Sequence, residues 1–305
     1  MKASLSVKIG KLKLKNPVMV ASGTFGYADE FKDFVNLKKL GAIVTKTITL
    51  KPRKGNLPPR TCETPLGMLN SIGLENPGLE AFLKDKIPFL RTLKVPVIMS
   101  IASVEDPAEF IELAKKLNTI EAIDALELNL SCPNIVNKRK LISQDCEATY
   151  KTVSLIRKAT KKTLITKLSP NVTCISDIAK AAESAGSDAL ALINTFSAMS
   201  IDVERRIPKL KVITGGLSGP AIRPVALKMV WEAYNNIKIP IIGMGGIIDT
   251  VSALEFIIAG ATAISIGTAN FINPKISVEV IDGLYGYLKR KHIASIQELI
   301  GSLKA

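Results

Sequence analysis

Short apolar runs, each followed by a polar or glycine-rich loop and then by a segment of helical periodicity, recur eight times along this chain and leave it few folds to adopt. The predicted strands cover residues 18–21, 42–47, 97–101, 125–129, 164–168, 189–193, 239–243 and 263–266. Unbroken Ile, Leu, Val and Ala in such runs mark strands covered on both faces, as in parallel sheets. Helices are predicted at 107–117, 148–159, 175–185, 221–235 and 251–259, with 277–290 and 296–303 closing the chain. Asp106 and Pro107 give the first of these a capped start. Gly41, Gly186 and Gly260 stand where C-terminal glycine caps belong. Eight strand–helix units predict an α/β fold, a (β/α)8 TIM barrel. No composition break marks a linker, so residues 1–305 are predicted as one domain. Residues 5–9 and 12–14, alternating around Gly10, predict an N-terminal β-hairpin. Residues 51–95, with Pro58-Pro59 and several glycines, are predicted as a functional insertion over the barrel mouth.

In such a barrel the carboxyl ends of the strands carry the chemistry. The run ending in Asn129-Leu130-Ser131-Cys132-Pro133-Asn134 places two carboxamides, a hydroxyl and a thiol within six residues. Pro133 stops the strand and restricts Cys132 to extended backbone angles. Asn129 and Asn134 each offer a donor and an acceptor suited to a small polar heterocycle. Cys132 reads either as a reactive thiol or as a small buried hydrophobe. Lys46 and Lys167 end two further strands. Paired lysines there suggest a bound anion or electron-rich ring, unless both reach solvent. Asn194 and Thr195 end another, and Ala21-Ser22-Gly23 lets a planar ligand approach the backbone. The loops holding Gly219, Gly245-Gly246 and Gly267-Thr268 fall late in the chain, where barrels hold a phosphate on backbone N–H groups. Flavin mononucleotide (FMN) would use this inventory well, its phosphate in the glycine cup and a lysine beside the ring.

Other function classes find little support. No apolar run approaches the ~20 residues that span a bilayer, and the basic start of the chain lacks a signal peptide's apolar centre. A cytoplasmic protein without membrane attachment is predicted. The cysteines at 62, 132, 146 and 174 form no C-x-x-C pair, so neither zinc nor an iron–sulfur cluster is expected in this chain. His292 is the only histidine and sits in a basic run near the end, which disfavours His-based triads. The formal charge of +14 is scattered without aromatic interleaving. It predicts a solvated surface attractive to anions, not nucleic-acid binding.

Taken together, Ala21-Ser22-Gly23, Thr45-Lys46-Thr47, the segment from Asn70 to Gly78, the Asn129–Asn134 hexapeptide, Lys167-Leu168-Ser169-Pro170, Ile193-Asn194-Thr195 and the late glycine loops resemble the class 1 dihydroorotate dehydrogenases. These are FMN enzymes of pyrimidine synthesis. The resemblance implies that Cys132 is the base taking the C5 proton of dihydroorotate while the C6 hydride passes to the flavin. It implies that Lys46, Asn70, Ile72, Gly73, Leu74, Asn129, Asn134, Asn194 and Thr195 hold orotate. It assigns FMN contacts to Ala21, Ser22, Lys46, Thr47, Asn129, Lys167, Ile193, Gly219, Gly245, Gly246, Gly267 and Thr268. Leu192-Ile193-Asn194-Thr195, Met199-Ser200-Ile201-Asp202 and the stretch from Pro240 to Gly246 are most similar to class 1B. That class implies a homodimer joined to an electron-transfer subunit as a heterotetramer, with FAD and a 2Fe–2S cluster in the partner and NAD as final acceptor. The sequence departs from the family after Asn134, where Ile135-Val136-Asn137-Lys138-Arg139-Lys140 replaces a glycine-containing loop. The basic triplet there would draw in an orotate carboxylate or meet an acidic partner face. A tRNA dihydrouridine synthase, another FMN barrel, is the nearest rival and predicts a helical RNA-binding extension. A non-catalytic flavin- or phosphate-binding barrel is the second.

Overall fold

A computed structural model describes residues 3–103, 107–130 and 141–304. Eight parallel strands close into a barrel in sequence order: β1 (Val18–Val20), β2 (Ala42–Val44), β3 (Val97–Ile101), β4 (Ala125–Asn129), β5 (Thr163–Lys167), β6 (Ala189–Leu192), β7 (Ile241–Gly243) and β8 (Ala263–Ile266). Closure is made where Ile264 of β8 lies opposite Val18 of β1. This is the predicted (β/α)8 TIM barrel.

Strand alternation divides each run between two environments. On β4, Leu126 and Leu128 join one buried cluster with Phe110, Leu113 and Leu117 of α3 (Ala108–Asn118) and Val153 and Ile156 of α4 (Cys146–Ala159). Ala125, Glu127 and Asn129 therefore face the barrel interior. The remaining main helices are α1 (Gly78–Asp85), α2 (Ile87–Leu90), α5 (Ile175–Ser184), α6 (Arg223–Tyr234), α7 (Thr250–Ile258), α8 (Ala269–Ile272) and α9 (Ile276–Arg290). The hairpin pairs Val7–Ile9 with Leu12–Leu14 and turns at Gly10, whose φ is +55°. Its tip sits beneath β5 and β6: Lys11 N–H donates to Thr163 Oγ1 at 3.0 Å, and a Cβ on Gly10 would stand 2.9 Å from Asp188 Cβ.

Several boundaries differ from the sequence reading. Strand β7 starts at Ile241 rather than 239, because Pro240 has no N–H for the ladder. Strand β2 stops at Val44 rather than 47, since the Lys46 N–H turns away to the Gly26 carbonyl at 2.7 Å. Helix α4 begins two residues earlier than 148, at Cys146, where the Asp145 carboxylate accepts from the Ala148 N–H. The 221–235 helix divides into a 3-10 turn, Pro220–Ile222, and α6. The predicted terminal helix at 296–303 is only a 3-10 turn, Ile296–Leu299. Gly301, at φ +68°, ends it by donating to the Ile257 carbonyl. Asp106 lies outside the described residues. His292 is exposed just after α9 and does not line the cleft described below.

The insertion at 51–95 is more structured than a covering loop. Thr61–Thr64 and Gly67–Asn70 form a hairpin that joins Thr214–Ser218 and Phe196–Met199, from the β6–β7 connection, in a four-stranded antiparallel sheet. Helices α1 and α2 then supply the crossover from β2 to β3. This sheet contributes Thr61, Met68, Asn70 and Ser218 to the walls above the barrel mouth. Among the described residues, no helix is long and apolar enough to cross a membrane.

Candidate active site

The cleft at the carboxyl ends of the strands gathers the predicted residues that the structure describes. Its lining includes Ala21, Ser22, Lys46, Thr47, Asn70, Ile72, Gly73, Leu74, Asn129, Lys167, Ile193, Asn194, Thr195, Gly219, Gly245, Gly246, Gly267 and Thr268. Cys132, Asn134 and the basic triplet Lys138-Arg139-Lys140 lie outside the described residues.

One wall is a relay of polar side chains. Ser100 and Thr47 share a hydroxyl–hydroxyl hydrogen bond of 2.9 Å. Asn129 Nδ2 donates to Thr47 Oγ1 at 3.5 Å, and Asn194 Nδ2 donates to Asn129 Oδ1 at 3.4 Å. Asn194 Oδ1 in turn accepts from the Thr195 N–H at 2.8 Å. The relay runs from the segment after β2 and from β3 through β4 to the segment after β6 and orients the amides of Asn129 and Asn194. Asn70 arrives from the covering sheet, its Nδ2 donating to the Gly216 carbonyl at 3.4 Å. The neighbouring Ile72-Gly73-Leu74 segment is held by the Asn56 N–H on the Ile72 carbonyl at 3.0 Å.

The opposite end is a cup of backbone. Gly219, Gly245 and Gly246 have φ of +99°, +127° and +79°, conformations costly for L side chains. A Cβ on Gly246 would stand 2.8 Å from the Gly219 carbonyl oxygen, so two of the glycine loops are packed backbone to backbone. Thr268 Oγ1 donates to Ser218 Oγ at 2.7 Å and ties the loop after β8 to the covering sheet. Gly267 differs in kind, because its φ lies outside the left-handed region and a Cβ there would meet, among the described residues, one atom within 4 Å, Ala21 Cβ at 3.7 Å. Neither backbone nor packing demands glycine at this position. A bare backbone facing the cleft suits an anion on main-chain N–H groups, so the cup fits the phosphate of a flavin nucleotide.

Just beyond the cup, Asp249 caps α7, accepting from the Ser252 N–H at 2.7 Å. Partial burial opposes ionisation of Asp249, but the Ser252 hydroxyl and amide and the Arg223 charge outweigh it and hold the carboxyl below its usual range.

Cationic charge lines the cleft from two strand ends. Lys167 is buried at 6% exposure, with its ammonium 3.5 Å from Ser22 Oγ and 4.0 Å from Glu127 Oε1. It does not reach solvent, which removes the snorkelling alternative for this residue. Sequence reasoning missed Glu127 and Ser265. A carboxylate inside the apolar run Leu126-Glu127-Leu128 was the available signal for the first. Ser265, between Ile264 and Ile266, carries no comparable mark. Apolar groups on the cleft rim, Ile248 and Phe271, were also not foreseen.

Fold and cleft thus define a (β/α)8 barrel whose mouth carries a glycine-lined cup, a wall of carboxamides and a buried lysine. Comparison with known proteins makes the class specific. The family model described as dihydroorotate dehydrogenase matches residues 4–288. The chain is 52% identical over 304 residues to the dihydroorotate dehydrogenase B (NAD(+)) catalytic subunit of Trichlorobacter lovleyi, covering 100% of both chains. It is 50% identical to the proteins of the same description from Geotalea uraniireducens, over 302 residues, and Thermoanaerobacter pseudethanolicus, over 301, with 99% of each chain covered. The chain belongs to the dihydroorotate dehydrogenase family, with its similarity lying in class 1B. Family membership sets aside the tRNA dihydrouridine synthase alternative.

Proposed function

We propose that this chain oxidises (S)-dihydroorotate to orotate in the cytoplasm, as a step of pyrimidine biosynthesis, and that its electrons leave through a partner subunit to NAD. The observation that carries this reading is end-to-end similarity at about half identity to catalytic subunits of NAD-linked enzymes. Members of the family are in general FMN-dependent. When bound, FMN supplies the two-electron acceptor for the hydride from C6 of the substrate.

The chain's own residues have separable tasks in this proposal. Gly219, Gly245, Gly246, Gly267 and Thr268 hold the FMN phosphate. Ala21, Ser22, Thr47, Ile193 and Lys167 border its ring, where the lysine's charge favours an electron-rich reduced state. Lys46, Asn70, Asn129, Asn194, Thr195 and the Ile72-Gly73-Leu74 backbone hold the substrate, joined by Asn134. Lys46 and Asn129 also touch the flavin. The carboxamide relay pre-orients donors and acceptors for an imide edge, so little ordering is left for the moment of binding. Cys132 takes the C5 proton as general base. The phrase "catalytic subunit" in the relatives' descriptions supports a partner, and we place FAD and a 2Fe–2S cluster there, in a heterotetramer built on a homodimer of this chain. A single domain spanning residues 1–305 completes the proposal.

The test is product formation. Purified chain loaded with FMN, given dihydroorotate and a soluble artificial electron acceptor, is expected to release orotate identifiable by mass spectrometry. Flavin-loaded protein that releases none would overturn the assignment.

A further inference from the structure

Glu127 is a costly residue in its position. Strand alternation points it into the barrel one step below Asn129, and it is 1% exposed. Removing a carboxylate from water costs several kcal/mol unless well-made hydrogen bonds compensate. Yet Glu127 Oε1 is buried without a hydrogen-bond partner among the described residues. The charge it faces is the Lys167 ammonium, at 4.0 Å, beyond hydrogen-bond length. Both side chains are nearly sealed from water, at 2% and 7% exposure, so their fields are poorly screened. Lys167 lines the cleft where this carboxylate does not, and its ammonium is 3.5 Å from Ser22 Oγ.

We infer that Glu127 is a positioning residue: it sets where the Lys167 ammonium stands and how much positive field reaches a ring bound above it. This rests on the flavin site proposed above. A bare buried lysine would favour the electron-rich reduced ring strongly. By drawing the ammonium back from the cleft, the carboxylate lessens the positive field at the ring and makes the reduced cofactor a better donor to the next carrier. The placement also gives a reason for retaining a buried acid that an isosteric neutral residue could replace with less desolvation.

The experiment measures the FMN reduction equilibrium of the flavin-loaded chain against a reference dye, for wild type, Glu127→Gln, Lys167→Met and the double variant. Glu127→Gln is expected to favour reduction by about tenfold, ~30 mV more positive for a two-electron couple. In the Lys167→Met background the same change is expected to move the equilibrium less than about threefold, because the acid acts through the lysine. Glu127→Asp keeps the charge and is expected to lie between wild type and Glu127→Gln; it carries the test if the glutamine variant does not fold. An unmoved potential in either folded Glu127 variant, or an equal shift with and without Lys167, would overturn the inference while leaving the proposed activity intact. A wild-type chain that binds no FMN would instead refute the reading beneath it.

Discussion

Replacing Gly267 with alanine separates what the protein needs from what its ligand needs. Among the described residues the added methyl would touch one atom, Ala21 Cβ at 3.7 Å, an ordinary contact, and the backbone is outside the left-handed region. Folding should therefore tolerate it. Reduced chain entropy in the unfolded state favours the alanine by about 0.4–1 kcal/mol, so the flavin-free chain should melt within ~3 °C of wild type. The same methyl would point into the cleft and, on the proposed reading, would come between an FMN phosphate and the backbone N–H groups of the cup. Losing one hydrogen bond to a charged group costs about 1.5–3 kcal/mol, which is ~10- to 150-fold in Kd. Titration of flavin-free protein with FMN, followed by quenching of flavin fluorescence, reads this directly. Binding within about twofold of wild type would refute the cup, and a folded state lost on substitution would refute the packing argument.

Three further outcomes follow from the same geometry. Gly246→Ala, at φ +79° and with a Cβ 2.8 Å from the Gly219 carbonyl oxygen, should lose both stability and FMN binding, by about 1–2 kcal/mol from the backbone alone; thermal melting of the flavin-free chain checks the first. Asn194→Ala removes the amide that donates to half-buried Asn129 together with a proposed substrate contact, and should lower kcat/KM for dihydroorotate about 10- to 100-fold, the range for one or two lost hydrogen bonds; steady-state kinetics with an artificial acceptor decides it. Asp249→Ala removes the α7 cap and should cost about 1 kcal/mol at neutral pH. Because the folded carboxyl is held low, that contribution is complete above the unfolded pKa near ~4 and fades as pH falls through the folded value. Urea denaturation of wild type and variant across this range should show the two curves converging in acid, not in base.

The barrel was legible because strands covered on both faces leave unbroken apolar runs, and β3, β4 and β8 begin and end where those runs do. Strand ends were less legible wherever a polar residue continues the chain direction after the ladder stops, as at Thr45-Lys46-Thr47. The hairpin of Thr61–Thr64 and Gly67–Asn70 escaped notice because its first strand, Thr-Cys-Glu-Thr, buries no side chain fully and so lacks a period-two apolar signal. Within the site, strand-end residues announced themselves by chemistry out of place in an apolar run: Lys46, Lys167, Asn129 and Asn194. Glu127 carried the same mark two residues earlier but belongs to the layer below the ligand, where its partner is another side chain. Such a residue can be understood only when β4 and β5 are paired and Asn129 is seen opposite Lys167.

The most direct test of the proposed chemistry is the visible spectrum of the purified chain under anaerobic conditions, before and after dihydroorotate, for wild type and Cys132→Ala. The expected result is an oxidised-flavin band near ~450 nm, a property of the bound cofactor, that bleaches promptly in wild type and about 100-fold or more slowly in the variant at neutral pH, the usual contribution of a general base. A flavin band that persists when wild type is mixed with dihydroorotate would contradict the assignment of substrate, and equal bleaching in both proteins would contradict the role given to Cys132.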